Sequence, residues 1–284
     1  ALPEDPPPSP TSRARAAVPA KARPRPEVVR GKASLVGDPE RFREHFTLQT
    51  GQTCAVVGIK QILGNLGRQA GENELFWDAF AKGRIAAGFT CDDPKESGCR
   101  AVYDPQTGLC SVLDKAGRRL AVAVDEDDRD VFEARFVCDE ARRRGAMLPE
   151  AMGDYLAEAS GRRVRNDMVP SAEALRAATG SDDVLTHALH IRDVLLPGAR
   201  AELVSALRAG KGVLVTMDVR ALRNKPRPRG MHAVLVTAAV LGPDGEPAGF
   251  YINDSATYEH ARYLTRAEFD RAWLQDDLQR VYIE

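Results

Sequence analysis

Three residue types, far apart in the chain, have the chemistry of covalent acyl transfer: a cysteine at a helix start, a histidine at a strand start, and an acid or amide closing the next strand. Cys54 stands in Gln49-Thr50-Gly51-Gln52-Thr53-Cys54-Ala55-Val56-Val57, a polar, turn-forming loop that runs into an apolar helical pattern. Ile59, Ile62, Leu63 and Leu66 recur at i, i+3, i+4 and i+7, one face of a 3.6-residue period, with Thr53 as the expected N-cap. A thiol at that point faces the positive end of the helix dipole, which stabilises the thiolate. The same stretch also fits a small apolar residue buried against its own helix, as most free cysteines are. The partners elsewhere in the chain must decide.

A cysteine nucleophile needs a base, and the base needs a group that fixes its ring. Of the five histidines, His45 lies in a short lead-in, His187 and His190 in a strand-like stretch from Val184 to Ile191, and His260 in a loop; these read as structural or solvated. His232 differs. It opens the strand Met231 to Ala238 after a polar loop (Arg220 to Gly230), and the turn Gly242-Pro243-Asp244-Gly245-Glu246 leads into a partner strand, Gly249 to Asp254. A hairpin sets the start of one strand beside the end of the next, so Asn253 or Asp254 can accept the imidazole N–H.

The elements that would hold these residues fall into two halves. After the Cys54 helix, Gly71-Glu72-Asn73-Glu74 opens a second one with Leu75, Phe76, Trp77 and Phe80, and further helices are expected at 128–144, Pro149 to Ser160 and Ser171 to Ala178. A hairpin region around Ala101 to Val124 interrupts them. From Gly198 to Ala209 an amphipathic helix precedes the strand Val213 to Val219, then the His232 hairpin, a capping box at Thr265 to Glu268, and a closing strand at Val281-Tyr282-Ile283. The reading is α+β, with a helical first half that carries the cysteine and an antiparallel second half that carries the histidine.

Composition bounds the partners. Lys+Arg 40 against Asp+Glu 41 gives a net charge of -1, so no global field favours nucleic acid, and no apolar run is long enough to span a membrane. Residues 1–32 hold eight of the 18 prolines and almost no large apolar side chain, the composition of a disordered Pro/Arg-rich linker, which leaves 33–284 as the folded domain. None of the five cysteines forms a Cys-x-x-Cys pair, so no metal site and no cofactor are expected. Cys91 and Cys99 bracket a turn-rich loop and fit either a disulfide or free thiols.

The Gln-led loop into Cys54-Ala55-Val56 resembles the papain-like cysteine peptidases, specifically their bacterial C39-like branch. So do the strand Gly230-Met231-His232-Ala233-Val234-Leu235-Val236, the run Tyr251-Ile252-Asn253-Asp254-Ser255 and the tail Tyr263-Leu264-Thr265-Arg266-Ala267-Glu268-Phe269. The likeness covers about residues 47–80 and 199–284 and leaves an unaligned insertion at about 86–190. It implies a papain-like fold with Cys54 as nucleophile, His232 as general base and acid, and Asp254 as the orienting residue, Asn253 being the fallback. It also implies a glutamine donor to the oxyanion. The family places that glutamine six residues before the cysteine, where this chain has Leu48, so Gln49 requires a loop shortened by one residue and Gln52 is the second choice.

The resemblance implies thiol-dependent hydrolysis of a peptide bond in a protein or peptide substrate. The same fold also serves Gln/Asn deamidases and acyl transferases, and a non-catalytic interaction module is the alternative from another class. A catalytic domain behind a Pro/Arg-rich linker resembles delivered bacterial toxins or effectors, which implies an upstream delivery domain, a cognate inhibitor, and a secreted or delivered protein. The loop Arg220 to Gly230 carries five cations; Arg227 and Arg229 would form a cleft wall that favours acidic substrate segments, or simply a solvated loop.

Overall fold

The computed structural model describes residues 34–86, 100–104, 109–113, 119–122, 146–224, 230–275 and 278–284. The expected linker at 1–32, the expected helix at 128–144, Cys91, Cys99, Arg227 and Arg229 lie outside the described residues. In chain order the elements are β1 (Ser34–Gly37), α1 (Cys54–Asn65), α2 (Glu72–Ala81), β2 (Ile85–Ala86), β3 (Arg100–Asp104), β4 (Leu109–Leu113), β5 (Arg119–Val122) and β6 (Ala146–Met147). They continue with α3 (Pro149–Ser160), β7 (Val164–Asp167), α4 (Ala172–Thr179), α5 (Val184–His190), α6 (Leu196–Arg208), β8 (Val213–Asp218) and α7 (Val219–Arg223). Last come β9 (Met231–Leu241), β10 (Pro247–Asp254), β11 (Glu259–Thr265), α8 (Arg266–Leu274) and β12 (Arg280–Ile283). This mixture of helices and antiparallel sheet is an α+β fold.

One seven-stranded sheet, ordered β11-β10-β9-β8-β12-β7, organises the molecule, and β1 pairs with the far half of β9 beyond the end of β8. Every pairing in it is antiparallel. The central strand β8 is buried along its whole length because helices cover both faces, which is why Val213-Leu214-Val215-Thr216-Met217 reads as a continuous run rather than an alternation. Val213, Val215 and Met217 join Val234, Val236, Phe250 and Ile252 beneath α6 (Leu203, Leu207) and α8 (Phe269, Trp273). Leu214 faces the other way, with Ala233, Leu235, Val281 and Ile283, beneath α1 (Ile59, Ile62), α2 (Phe76) and α3 (Tyr155, Leu156). Each Val, Leu, Ile, Phe or Met among them contributes about 1.5–3 kcal/mol of burial.

Several elements differ from the sequence expectation. Val184 to Ile191 is helical, not extended: Asp183 caps it by accepting the Thr186 N–H at 2.8 Å, and a π-helical turn, Ile191–Leu195, carries the chain on into α6. His187 and His190 are therefore helical residues. The loop before His232 begins as the short helix α7, capped by Asp218 through the Ala221 N–H at 2.8 Å. Strands β1 and β11 extend the sheet where only lead-in and loop were expected. The capping box at Thr265 forms in both directions, the helix expected over Pro149 to Ser160 has those limits, and the one expected over Ser171 to Ala178 spans Ala172–Thr179 with Ser171 as its cap.

Candidate active site

The start of α1 lacks the expected cap. The Thr53 carbonyl accepts the first helical bond, from Val57 N–H at 2.9 Å, but the Thr53 side chain caps nothing. Its hydroxyl instead donates to Glu72, the first residue of α2, and the same carboxylate oxygen accepts the Thr50 N–H at 2.9 Å and the Thr50 hydroxyl at 2.8 Å. The consequence is chemical. With no side-chain oxygen at the N-terminus, the Ala55 N–H of the first turn is left to the thiol sulphur.

Cys54 Sγ lies half-buried at that end, against the start of β9, where the Ala233 N–H donates to it at 3.4 Å. Burial pushes the thiol up, but hydrogen bonding to His232, the charge of that ring, and the N–H groups of Ala233 and Ala55 overturn this, and the thiol is held below its ordinary 9.0. The His232 ring is buried. Its Nε2 donates to Asp254 Oδ1 at 2.7 Å, which leaves Nδ1 for the sulphur. Desolvation pulls the ring down, yet the bonds to Asp254 and Cys54 raise it to about 9. Both shifts, the thiol down and the ring up, favour the imidazolium–thiolate form of the pair.

Asp254 is fully buried at the end of β10. Burial pushes its carboxyl up; the hydrogen bond and charge of His232, then the charge of Arg223 and the Ala256 N–H, hold it down at about 2. Its Oδ1 also accepts the Ala256 N–H at 3.0 Å, and its Oδ2 faces Arg262 Nη1 at 3.6 Å. Arg262 is anchored in turn to Glu259 at 3.0 Å and to the Leu222 carbonyl at 3.1 Å.

The structure brings Cys54, His232 and Asp254 together and keeps Asn253 apart. The Asn253 amide is buried on another partner, donating to Gln61 Oε1 at 2.7 Å and accepting the Ala261 N–H at 3.0 Å. Gln49 ties its loop to the turn after Asp254: its N–H donates to the Ser255 carbonyl at 3.1 Å and its Oε1 accepts the Ser255 hydroxyl at 2.9 Å. One Gln49 amide N–H is committed to the Gly51 carbonyl at 2.7 Å. Gln52 is exposed. Three of the other four histidines serve elsewhere: the His45 ring fills the space over Gly64, His187 donates to the Ser181 carbonyl at 2.6 Å, and His260 lies against Phe46 and Glu40.

Glu72, Ser255, Arg262 and the Ala233 N–H were not singled out in the sequence. They act through contacts between elements far apart in the chain, and no local period announces such pairs. Among the described residues no cluster of three or more His, Cys, Asp or Glu could hold a metal ion, and no helix is long and apolar enough to cross a membrane.

No family model matches the sequence, and no curated protein matches it. Among solved structures, a candidate C39-like peptidase from Bacillus anthracis aligns with a TM-score of 0.45 and 11% identity, over 88% of this chain and 98% of that one.

Proposed function

We propose that this protein is a papain-like thiol hydrolase of the C39-like kind, one that cleaves a peptide bond in a protein substrate through an acyl-enzyme. The observation that carries the reading is the His232 ring, held at 2.7 Å by a buried, ionised Asp254 and hydrogen-bonded to a thiol whose proton it has weakened.

In this reading the Cys54 thiolate attacks the substrate carbonyl carbon, and a sulphur–carbon bond forms as the carbonyl electrons move onto oxygen. Main-chain N–H groups at the start of α1 and the second amide hydrogen of Gln49 are the donors for that oxyanion. The His232 imidazolium gives its proton to the departing amine nitrogen as the carbon–nitrogen bond breaks. Water then attacks the thioester, His232 takes the water's proton, the acid product leaves, and the thiolate returns. Asp254 keeps the ring in the orientation that presents Nδ1 to sulphur and stabilises its charge.

Site-resolved labelling with iodoacetamide at mildly acidic pH tests the pair directly. Cys54 is expected to react faster than in the denatured chain, and His232→Ala to abolish that advantage. The cleavage itself is read by incubating a mixture of unfolded proteins with the wild type or Cys54→Ala and counting new termini by mass spectrometry. New termini from the wild type alone support a peptidase. A fast-labelling Cys54 with intact targets that gain acid groups would identify a deamidase instead, and an unreactive Cys54 would sink both.

A further inference from the structure

The geometry points to Gln61 and Asn253 as a positioning pair that sets the rotation of the Cys54 helix against the Asp254 strand; this rests on the functional reading above. Gln61 lies seven residues after Cys54, two turns along α1, and positions i and i+7 share a helix face. Asn253 immediately precedes Asp254 on β10, and neighbouring strand residues point to opposite sides. The 2.7 Å bond from Asn253 Nδ2 to Gln61 Oε1 thus joins the nucleophile's helix face to the residue beside the acid.

Both side chains are 1% exposed, and both are well satisfied: Gln61 Nε2 donates to the Val57 carbonyl at 3.3 Å, and Asn253 Oδ1 accepts the Ala261 N–H at 3.0 Å. That last bond supports β11 where its register with β10 shifts, between Ile252 and Asp254. Apolar neighbours slide against one another at little cost, whereas a buried amide pair has one low-energy alignment. A small rotation of α1 about its axis would swing Cys54 Sγ away from Nδ1 of His232. The pair opposes that rotation.

The test is the pH profile of Cys54 alkylation, a readout that needs no substrate. Gln61→Met keeps the length of the side chain but leaves the Asn253 amide without its acceptor. It is expected to slow labelling at pH 6 by about tenfold or more and to move the half-maximal pH upward, because the thiolate loses its aligned partner. Gln61→Glu retains the acceptor, is kept neutral by burial at that pH, and is expected to label at the wild-type rate. All rates are compared where far-ultraviolet circular dichroism shows each variant folded, and Gln61→Leu replaces the Met variant should it not fold. An unchanged half-maximal pH in Gln61→Met, or equal slowing in the Met and Glu variants, would overturn the pairing while leaving the functional reading intact. A wild type whose Cys54 labels no faster than in the denatured chain would remove the reading, and this inference with it.

Discussion

At the scale of single residues, the two titrations at the site act on different steps, so they should separate experimentally. Alkylation needs only the thiolate; its rate should rise once, at a pH below the ordinary thiol value, and stay level above it. In the proposed mechanism amide cleavage also needs the imidazolium to protonate the leaving nitrogen, so it should fall again as His232 loses its proton near about 9. Asp254→Asn removes the carboxylate that raises the ring, and should draw the alkaline limb of cleavage below that value while alkylation persists; limbs that do not move would show that the ring is not controlled from Asp254. Stability follows with opposite signs. Asp254, lowered from 3.8 to about 2, contributes stability above its ordinary value that is lost as pH falls toward 2, whereas His232, raised from 6.5, contributes stability below that value that is lost as pH rises through about 9. Gln49→Ala tests the proposed oxyanion donor: about 10²–10³ off kcat at little change in KM is the expected result.

Between residues and fold stand the elements, and there the site depends on how α1 is seated. Gly58, one turn after Cys54, lies so close to the sheet that a Cβ would approach Leu214 Cδ1 to 2.3 Å. Gly58→Ala should push the helix off β8 at a cost of about 1–3 kcal/mol and slow Cys54 labelling; a stability loss with unchanged labelling would mean that Leu214 gives way and the helix stays. Glu72 holds the loop from the other side. Glu72→Ala leaves the buried Thr53 hydroxyl and the Thr50 N–H without their acceptor, an expected loss of about 1–3 kcal/mol in urea unfolding. How much of this was legible varied with the signal. The α1 pattern, the β9–β10 hairpin and the Thr265 capping box all carry a clear period or cap, and the sequence places them. Strand β11 carries none, because Glu259 to Tyr263 are all half-exposed at the sheet edge and no apolar alternation develops. In Val184 to His190 the apolar residues fit either period, and the deciding feature is the Asp183 cap. The bond between Asn253 and Gln61 spans 192 residues and has no local trace at all.

On the scale of the whole molecule, one sheet separates two cores, and only one of them bears the Cys54 helix. The far core holds Trp273, fully buried, with its indole N–H donating to the Gln279 carbonyl at 2.9 Å. The near core holds Ile59, fully buried on α1 itself. Trp273→Ala should cost about 3–5 kcal/mol and Ile59→Ala about 2–5 kcal/mol, since each leaves a cavity that its surroundings fill only in part. In stability the two are therefore near equals. Their effects on chemistry should differ, because the backbone of β8 and β9 is hydrogen-bonded on both sides and resists passing a local collapse from one face to the other. Below each variant's melting transition, Ile59→Ala is expected to shift the half-maximal pH of Cys54 alkylation upward as α1 settles into the void, while Trp273→Ala keeps the wild-type profile. If both variants shift the profile alike, the site is set by global stability, and the two faces are one cooperative unit rather than a scaffold with a dedicated seat for the nucleophile.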